Sequence, residues 1–243
     1  TGASDGIGRA LALALAREGY AVGLIARRRE KLEAVRRTIE AAGGAACVAP
    51  ADVGQDRATT EAFERIVAAL GEVDLLVANA AISRPVDPLA PDVRRVEEEF
   101  QVNLLGVQRA IDAVLPAMVR RRRGHVVAIS SVAGWRGMPE AAGYCASKAA
   151  LTTLMESYRV DWAPHGVTTT TVHPGFVDTP MIANEAHPKP FLMSAEKAAQ
   201  IITRAIRKKR KRCDFPRRMV WTMRIVRHLP DAWLRWGNDR GRA

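Results

Sequence analysis

The chain has 243 residues, with 37 Lys and Arg against 26 Asp and Glu, a formal charge of +11 and 48% hydrophobic residues. That length and apolar content suit one α/β domain able to bury a sizeable core and leave no need for a second. Three cysteines, Cys47, Cys145 and Cys213, form neither a metal-ligand spacing nor an even disulfide framework, so no metal and a reduced, cytoplasmic setting are expected. No run of about eighteen apolar residues marks a membrane-spanning helix.

In chain order, Thr1-Gly-Ala-Ser-Asp-Gly-Ile-Gly8 is a glycine-rich turn running into GIGRALALALARE (6–18), whose apolar residues recur at helical spacing. Such a turn follows a strand, so that strand is expected upstream of Thr1, and a targeting segment there stays open. A parallel sheet without it would leave its neighbours' backbone groups unpaired. YAVGLIA, ending at Ala26, reads as a buried parallel strand, followed by the charged helix REKLEAVRRTIEAAG, the strand AACVAP, a helix to Leu70 and the strand VDLLVANA. The second half repeats the rhythm with a long helix near Val93 to Arg122, the strand HVVAISS, a helix carrying Tyr144 and ending at Trp162, and the strand VTTTTVHP. Strand and helix alternating in this way predict right-handed crossovers and a doubly wound, Rossmann-like parallel sheet.

Two stretches carry the chemistry. Gly2, Gly6 and Gly8 fall where strand should meet helix, and glycine there lets the backbone approach a pyrophosphate held by helix N-terminal amides. Tyr144 and Lys148 stand four apart in an Ala-rich helical run, so they share one face. A phenol titrates near ~10, and an adjacent cation lowers that value toward neutrality, where proton transfer is useful. Ser131, thirteen residues before Tyr144, suits a hydrogen-bond donor to a carbonyl if it ends a strand facing the same pocket.

The TGxxxGxG turn, and a serine thirteen residues before Tyr144-Cys-Ala-Ser-Lys148, resemble the short-chain dehydrogenase/reductase (SDR) family over roughly residues 1 to 200. The resemblance implies hydride transfer between a nicotinamide cofactor and a carbonyl or alcohol. Tyr144 would be the proton donor, Ser131 would orient the carbonyl, and Lys148 would bind the nicotinamide ribose and lower the tyrosine pKa. Asn103, twenty-eight residues before Ser131, matches the family's helix asparagine, which would hold a water linking Lys148 to solvent; otherwise it is a solvent-facing amide. Ser4, Asp5 and Ile7 would join the three glycines around the cofactor, with Asp52 and Val53 at the adenine. Asn79 and Ala80 lie in Val77-Ala-Asn-Ala-Ala81, where Ala78 and Ala81 replace the Asn and Gly of the family's NNAG. Pro174, Gly175, Val177 and Thr179 would hold the nicotinamide carboxamide. The family also commonly pairs through its two long helices, so a homodimer or homotetramer is expected.

An acidic residue closing the strand after the first helix would hold a ribose 2′-hydroxyl, but Ala26-Arg27-Arg28-Arg29 stands there, with Arg27 nineteen residues after Gly8. Arginine matches phosphate, so NADP is expected over NAD, with Arg27 the main contact and Arg28 assisting; the other reading is a solvated helix start. Asp5 argues against a second phosphate-binding cation in the turn. Residues 181 to 193, rich in Met, Ile, Phe and Leu, precede a helix that Ser194 should cap, and suit an apolar ketone, aldehyde or acyl-type substrate. His187 in this stretch is either a polar contact or merely solvated.

The excess charge is not spread evenly. Residues 200 to 243 hold 14 basic and 3 acidic residues, so the whole surplus lies there. Residues 1 to 206 read as the catalytic domain, and 207 to 243 as a basic, amphipathic extension of it. Wound as a helix, Arg217, Arg224, Arg227 and His228 gather on one side, and Met219, Met223, Ile225, Val226 and Leu229 cover the other. With Trp221, Trp233 and Trp236, this pattern suits either a membrane surface or packing on the body. Nucleic acid is disfavoured, because a basic run without a recognition module gives only sequence-independent affinity. An NADP-dependent carbonyl reductase is the first reading. A catalytically idle dinucleotide binder that docks to membranes or partners through its tail is the rival.

Overall fold

The protein is represented by a computed structural model that describes residues 1–85, 87–183 and 188–231. Its elements are α1 (Gly6–Arg17), β1 (Val22–Ala26), α2 (Arg29–Ala41), β2 (Ala46–Pro50), α3 (Asp56–Leu70), β3 (Leu75–Ala78), α4 (Val93–Phe100), α5 (Gly106–Arg120), β4 (Gly124–Ile129), α6 (Ala142–Trp162), β5 (Val167–Pro174), β6 (Val177–Asp178), β7 (Met193–Ser194), α7 (Ala195–Arg207), β8 (Arg212–Phe215) and α8 (Arg217–Val226). The strands β3-β4-β5-β8 form one parallel sheet, and β1 pairs in parallel with β2. Thr1 to Ala3 crosses the interval between β1 and β3. The Ala3 amide donates to the Ile25 carbonyl at 3.2 Å, and the Thr1 ammonium to the Val77 carbonyl at 2.7 Å.

The central strands β4 and β5 are buried on both faces, as parallel strands covered by helices must be, although β5 carries Thr169, Thr170, Thr171 and His173 there. In β4, Val126 and Ala128 face the cluster built by α3, α5 and α6, while Val127 and Ile129 face α1 and α7. Leu24 and Ile25 of β1 divide in the same way. The expected helix from Val93 is continuous through Arg120, but residues Gln101–Leu105 between α4 and α5 wind as a π turn. At 28 residues, this helix is long and apolar enough to cross a membrane by length and composition, which the search for an unbroken apolar run did not register. Its face Val107, Ala110, Ile111, Val114 and Met118 is buried in the core instead.

The C-terminal part also departs from expectation. A single amphipathic helix was expected from Phe215 onward. The basic run turns instead into β8, which pairs with β5 and buries Cys213 and Phe215, and α8 starts only after Pro216. Met219, Val220 and Met223 pack inward, whereas Ile225, expected on that side, is exposed beside Trp221. Trp233 and Trp236 lie outside the described residues. Ser194 caps α7 as expected, its hydroxyl accepting from the Lys197 amide at 3.2 Å.

Because Phe215 is 3% exposed, Phe215→Ala should destabilise the whole domain by about 3–5 kcal/mol. Urea melts check this, since a residue in a loosely attached tail would leave the midpoint unchanged.

Candidate active site

The cofactor turn is built by close approach. Gly2 and Gly6 take positive φ, +68° and +51°, and a Cβ on Gly8 would stand 2.2 Å from the Gly2 carbonyl oxygen. No side chain fits there, and the first amides of α1, which have no intrahelical acceptor, are left to meet an anion. A Cβ on Gly6 would strike Thr179 at 2.8 Å, so the turn abuts the Val177–Thr179 segment expected over the nicotinamide. This cradle, narrow enough to exclude Cβ atoms, fits a dinucleotide pyrophosphate.

Asn79 closes the turn from β3. Its Nδ2 donates to the Thr1 carbonyl at 3.1 Å and the Gly2 carbonyl at 3.4 Å, while Thr1 Oγ1 accepts from the amides of Asn79 and Ala80, each at 3.0 Å. Its side chain therefore holds the glycine turn in place. Asp52 Oδ1 accepts from the Gly54 amide at 2.9 Å, and Oδ2 faces Arg27 at 3.9 Å. Val53 is buried below the π turn, where it limits Gly106.

The two arginines have different partners. Arg27 is 66% exposed and leans toward Asp52. Arg28 reaches back to the glycine turn, donating to Ser4 Oγ at 3.0 Å and pairing with Asp5. Lys31 Nζ lies 3.0 Å from the same carboxylate. Asp5 thus gathers two cations and, as the residue before α1, makes no capping bond to it.

Lys148, with the Tyr144 ring beside it, and Ser131 lie near the C-terminal end of β4. Lys148 is 2% exposed, and its Nζ donates to the Ile129 carbonyl at 2.8 Å and lies 5.8 Å from the centroid of the Tyr144 ring. Burial pushes its pKa down to about 7. Ser131 stands two residues past the end of β4 rather than on it, and opens a 3-10 turn, Val132–Trp135. Its Oγ accepts from the Ala133 amide at 3.1 Å and lies 3.5 Å from the Pro174 carbonyl.

Asn103 sits in the π turn and is wholly buried, so the solvent-facing alternative is excluded. Its Oδ1 accepts from the Ile82 amide at 2.8 Å, and its Nδ2 donates to the Ile82 carbonyl at 2.9 Å and to Ser147 Oγ at 3.0 Å. Ser147 Oγ in turn donates to the Tyr144 carbonyl at 2.8 Å. Both amide hydrogens are therefore spent on tying the loop after β3 to α6.

Several neighbours escaped the sequence reading. Glu99 of α4 is fully buried; Oε1 accepts from the Arg84 amide at 2.8 Å, and Oε2 accepts nothing among the described residues. Burial raises its pKa. A Cβ on Gly143, next to Tyr144, would lie 2.2 Å from that Oε2. Beside Ser131, Val132, Met219 and Met223 form an apolar cluster with Trp135, Met138, Phe176 and Val226. Met181, Phe191 and Leu192 expose apolar surface in the expected substrate segment, while His187 lies outside the described residues. Among the described residues no group of His, Cys, Asp or Glu is arranged to hold a metal, and the three cysteines are free.

A model of the short chain dehydrogenase family matches residues 1–190. The chain is 39% identical, over 95% of its length and 91% of the other, to an uncharacterised oxidoreductase of Myxococcus xanthus. Among solved structures it resembles an alcohol dehydrogenase of Thermococcus sibiricus complexed with 5-hydroxy-NADP, with a TM-score of 0.79, 29% identity, and coverage of 88% of this chain and 93% of that one. It also resembles a short-chain dehydrogenase/reductase of Burkholderia phymatum in complex with NAD, with a TM-score of 0.84, 25% identity, and coverage of 92% and 89%. With a glycine cradle, a helical tyrosine-lysine pair and these likenesses together, the chain belongs to the short-chain dehydrogenase family and is an NAD(P)-dependent oxidoreductase acting on carbonyl and alcohol groups.

Proposed function

We propose that the protein is an NADP-dependent reductase of apolar carbonyl compounds in which Tyr144 is the general acid. The observation that carries this reading is a buried ammonium, Lys148, fixed beside the Tyr144 ring with no carboxylate paired to it among the described residues. A cation so placed favours the phenolate that remains after the tyrosine proton passes to the carbonyl oxygen. Ser131 Oγ, held by the Ala133 amide, donates to that same oxygen and sets its approach. NADP, when bound, supplies the hydride. Asn103 belongs to the proton path through the backbone of the π turn or the spare lone pair of Oδ1, because its amide hydrogens are taken.

Gly2, Ser4, Asp5, Gly6, Ile7 and Gly8 would hold the cofactor's pyrophosphate, Asp52 and Val53 its adenine, and Pro174, Gly175, Val177 and Thr179 its nicotinamide carboxamide. Arg27, exposed and held only by a long contact to Asp52, is free to meet a 2′-phosphate. Arg28 assists after exchanging Asp5 for the phosphate. The apolar cluster around Met219 and Met223 lines the substrate side, which favours aliphatic ketones, aldehydes or acyl derivatives. The idle docking module is not favoured, since the sequence keeps Asn103, Ser131, Tyr144 and Lys148 and the family is one of oxidoreductases.

With decanal as probe and NADPH consumption as readout, Tyr144→Phe should lower kcat by about 10²- to 10⁴-fold while NADPH binding, followed by its fluorescence, is spared. A variant that stays as fast as wild type would remove Tyr144 as the acid. Arg27→Ala should erode the preference for NADPH over NADH, measured as the ratio of their dissociation constants, and an unchanged ratio would point to NAD.

Lys148 gives a further check. Its folded pKa of about 7 lies below the 10.5 of an open chain, so between those values the unfolded state binds more protons and stability rises with pH. The burial penalty is felt in full below about pH 7. In cofactor-free urea melts, the stability of wild type relative to Lys148→Met should therefore climb from pH 7 to pH 10. A flat difference would mean that the ammonium is solvated.

A further inference from the structure

Behind α6 runs a polar chain that the proposed reaction leaves unused. His173 of β5 is 0% exposed, and its Nδ1 lies 2.7 Å from Oδ1 of Asp214 in β8. On the other side of the ring, Nε2 lies 3.2 Å from Thr152 Oγ1 in α6. Thr152 Oγ1 is 2.9 Å from the Lys148 carbonyl oxygen and 2.9 Å from Ser130 Oγ, which itself lies 2.8 Å from that carbonyl. At the far end, Arg212 stands 3.4 Å from Asp214 Oδ2 and 3.7 Å from Glu156 of α6. The chain reaches from the edge strand of the sheet to the main chain of Lys148 without a gap.

A buried imidazole and carboxylate are costly unless each satisfies the other, and an apolar pair would fill this space at less risk. Burial alone would raise the Asp214 carboxyl, but His173 and Arg212 together hold it below its ordinary range, so it accepts from Nδ1–H. Four contacts join Ser130 Oγ, Thr152 Oγ1, the Lys148 carbonyl and Nε2, and the two hydroxyls supply only two hydrogens between them. His173 Nε2 meets Thr152 Oγ1 at a hydroxyl shared with Ser130 and the Lys148 carbonyl, and the strand that carries His173 continues into Pro174, whose carbonyl faces Ser131 Oγ.

We propose that His173 and Asp214 form a positioning pair for the redox reaction: acting through Thr152 on Lys148 and through β5 on Pro174, they fix the ammonium, the serine and the Pro174–Thr179 segment relative to one another. This rests on the function proposed above, in which Tyr144 and Lys148 carry out proton transfer. Neither His173 nor Asp214 touches a reacting atom. Their effect is geometric, and misplacement of reacting groups by about 1 Å can cost about 10²-fold in rate.

The test is a double-mutant cycle between Asp214→Asn and Thr152→Val, near-isosteric changes, read with decanal and NADPH. Each single variant should lower kcat about tenfold, part of the loss expected for a small misplacement, while the KM for decanal and the NADPH dissociation constant stay near wild type. Because both changes break one chain, the double variant should be no slower than the slower single. Thr152→Ser, which keeps the hydroxyl, should restore the rate. Wild-type kcat in the folded single variants, losses that multiply in the double, or a fall in kcat matched by lost NADPH affinity would each overturn the proposal. Should Asp214→Asn fail to fold, Thr152→Val against Thr152→Ser decides alone, since both leave the contact between His173 Nδ1 and Asp214 in place. Tyr144→Phe, run in parallel, separates the two claims: an active Tyr144→Phe sinks the catalytic reading, whereas an inactive one beside an unimpaired Thr152→Val sinks only the positioning pair.

Discussion

The candidate site depends on a lysine buried with no carboxylate beside it among the described residues. An ammonium removed from water is tolerated only where fixed acceptors replace its hydration. Here Lys148 Nζ takes the Ile129 carbonyl at the end of β4, and its own carbonyl is held by Ser130 and Thr152. Both ends of one residue are thereby tied to the rim of the sheet. Gly134 completes the support: a Cβ there would lie 2.8 Å from the Lys148 carbonyl carbon, so the turn after Ser131 can lie directly against α6 only as glycine. The positions of Tyr144 and Ser131 follow from that clamp.

The parts of the fold read correctly from sequence are those with a repeated or spaced signal. Buried strands such as β4 and β5 announce themselves as short apolar or β-branched runs, and the glycine turn and the tyrosine-lysine spacing fix where the chemistry lies. Three features left no such trace. The π turn adds one residue to a long helix, which barely disturbs its apolar rhythm. β8 is four residues long, and its two buried side chains, Cys213 and Phe215, follow directly on a run of lysines and arginines that reads as solvent-facing. His173 sits in a threonine-rich strand where its partner, forty-one residues away, is visible only once β5 and β8 are paired.

Side-chain direction was the other limit. Counting from Gly8 ranks Arg27 above Arg28, but it does not weigh Asp5, which draws Arg28 and Lys31 onto the glycine turn. For Asn103, the burial that commits its amide to Ile82 and Ser147 depends on the π turn, which the sequence does not reveal. In α8 the inner face was legible through Met219 and Met223. Ile225 fell on the wrong side because the helix begins after Pro216 and turns its Trp221 edge outward.

The carboxyl of Glu99 occupies the volume that any side chain at position 143 would need. Two helices therefore share a single parcel of space, filled from one side only. A side chain at position 143 would displace the Glu99 carboxyl from its place beside the Arg84 amide, so an acid on one helix favours a bare backbone next to the Tyr144 position on the other.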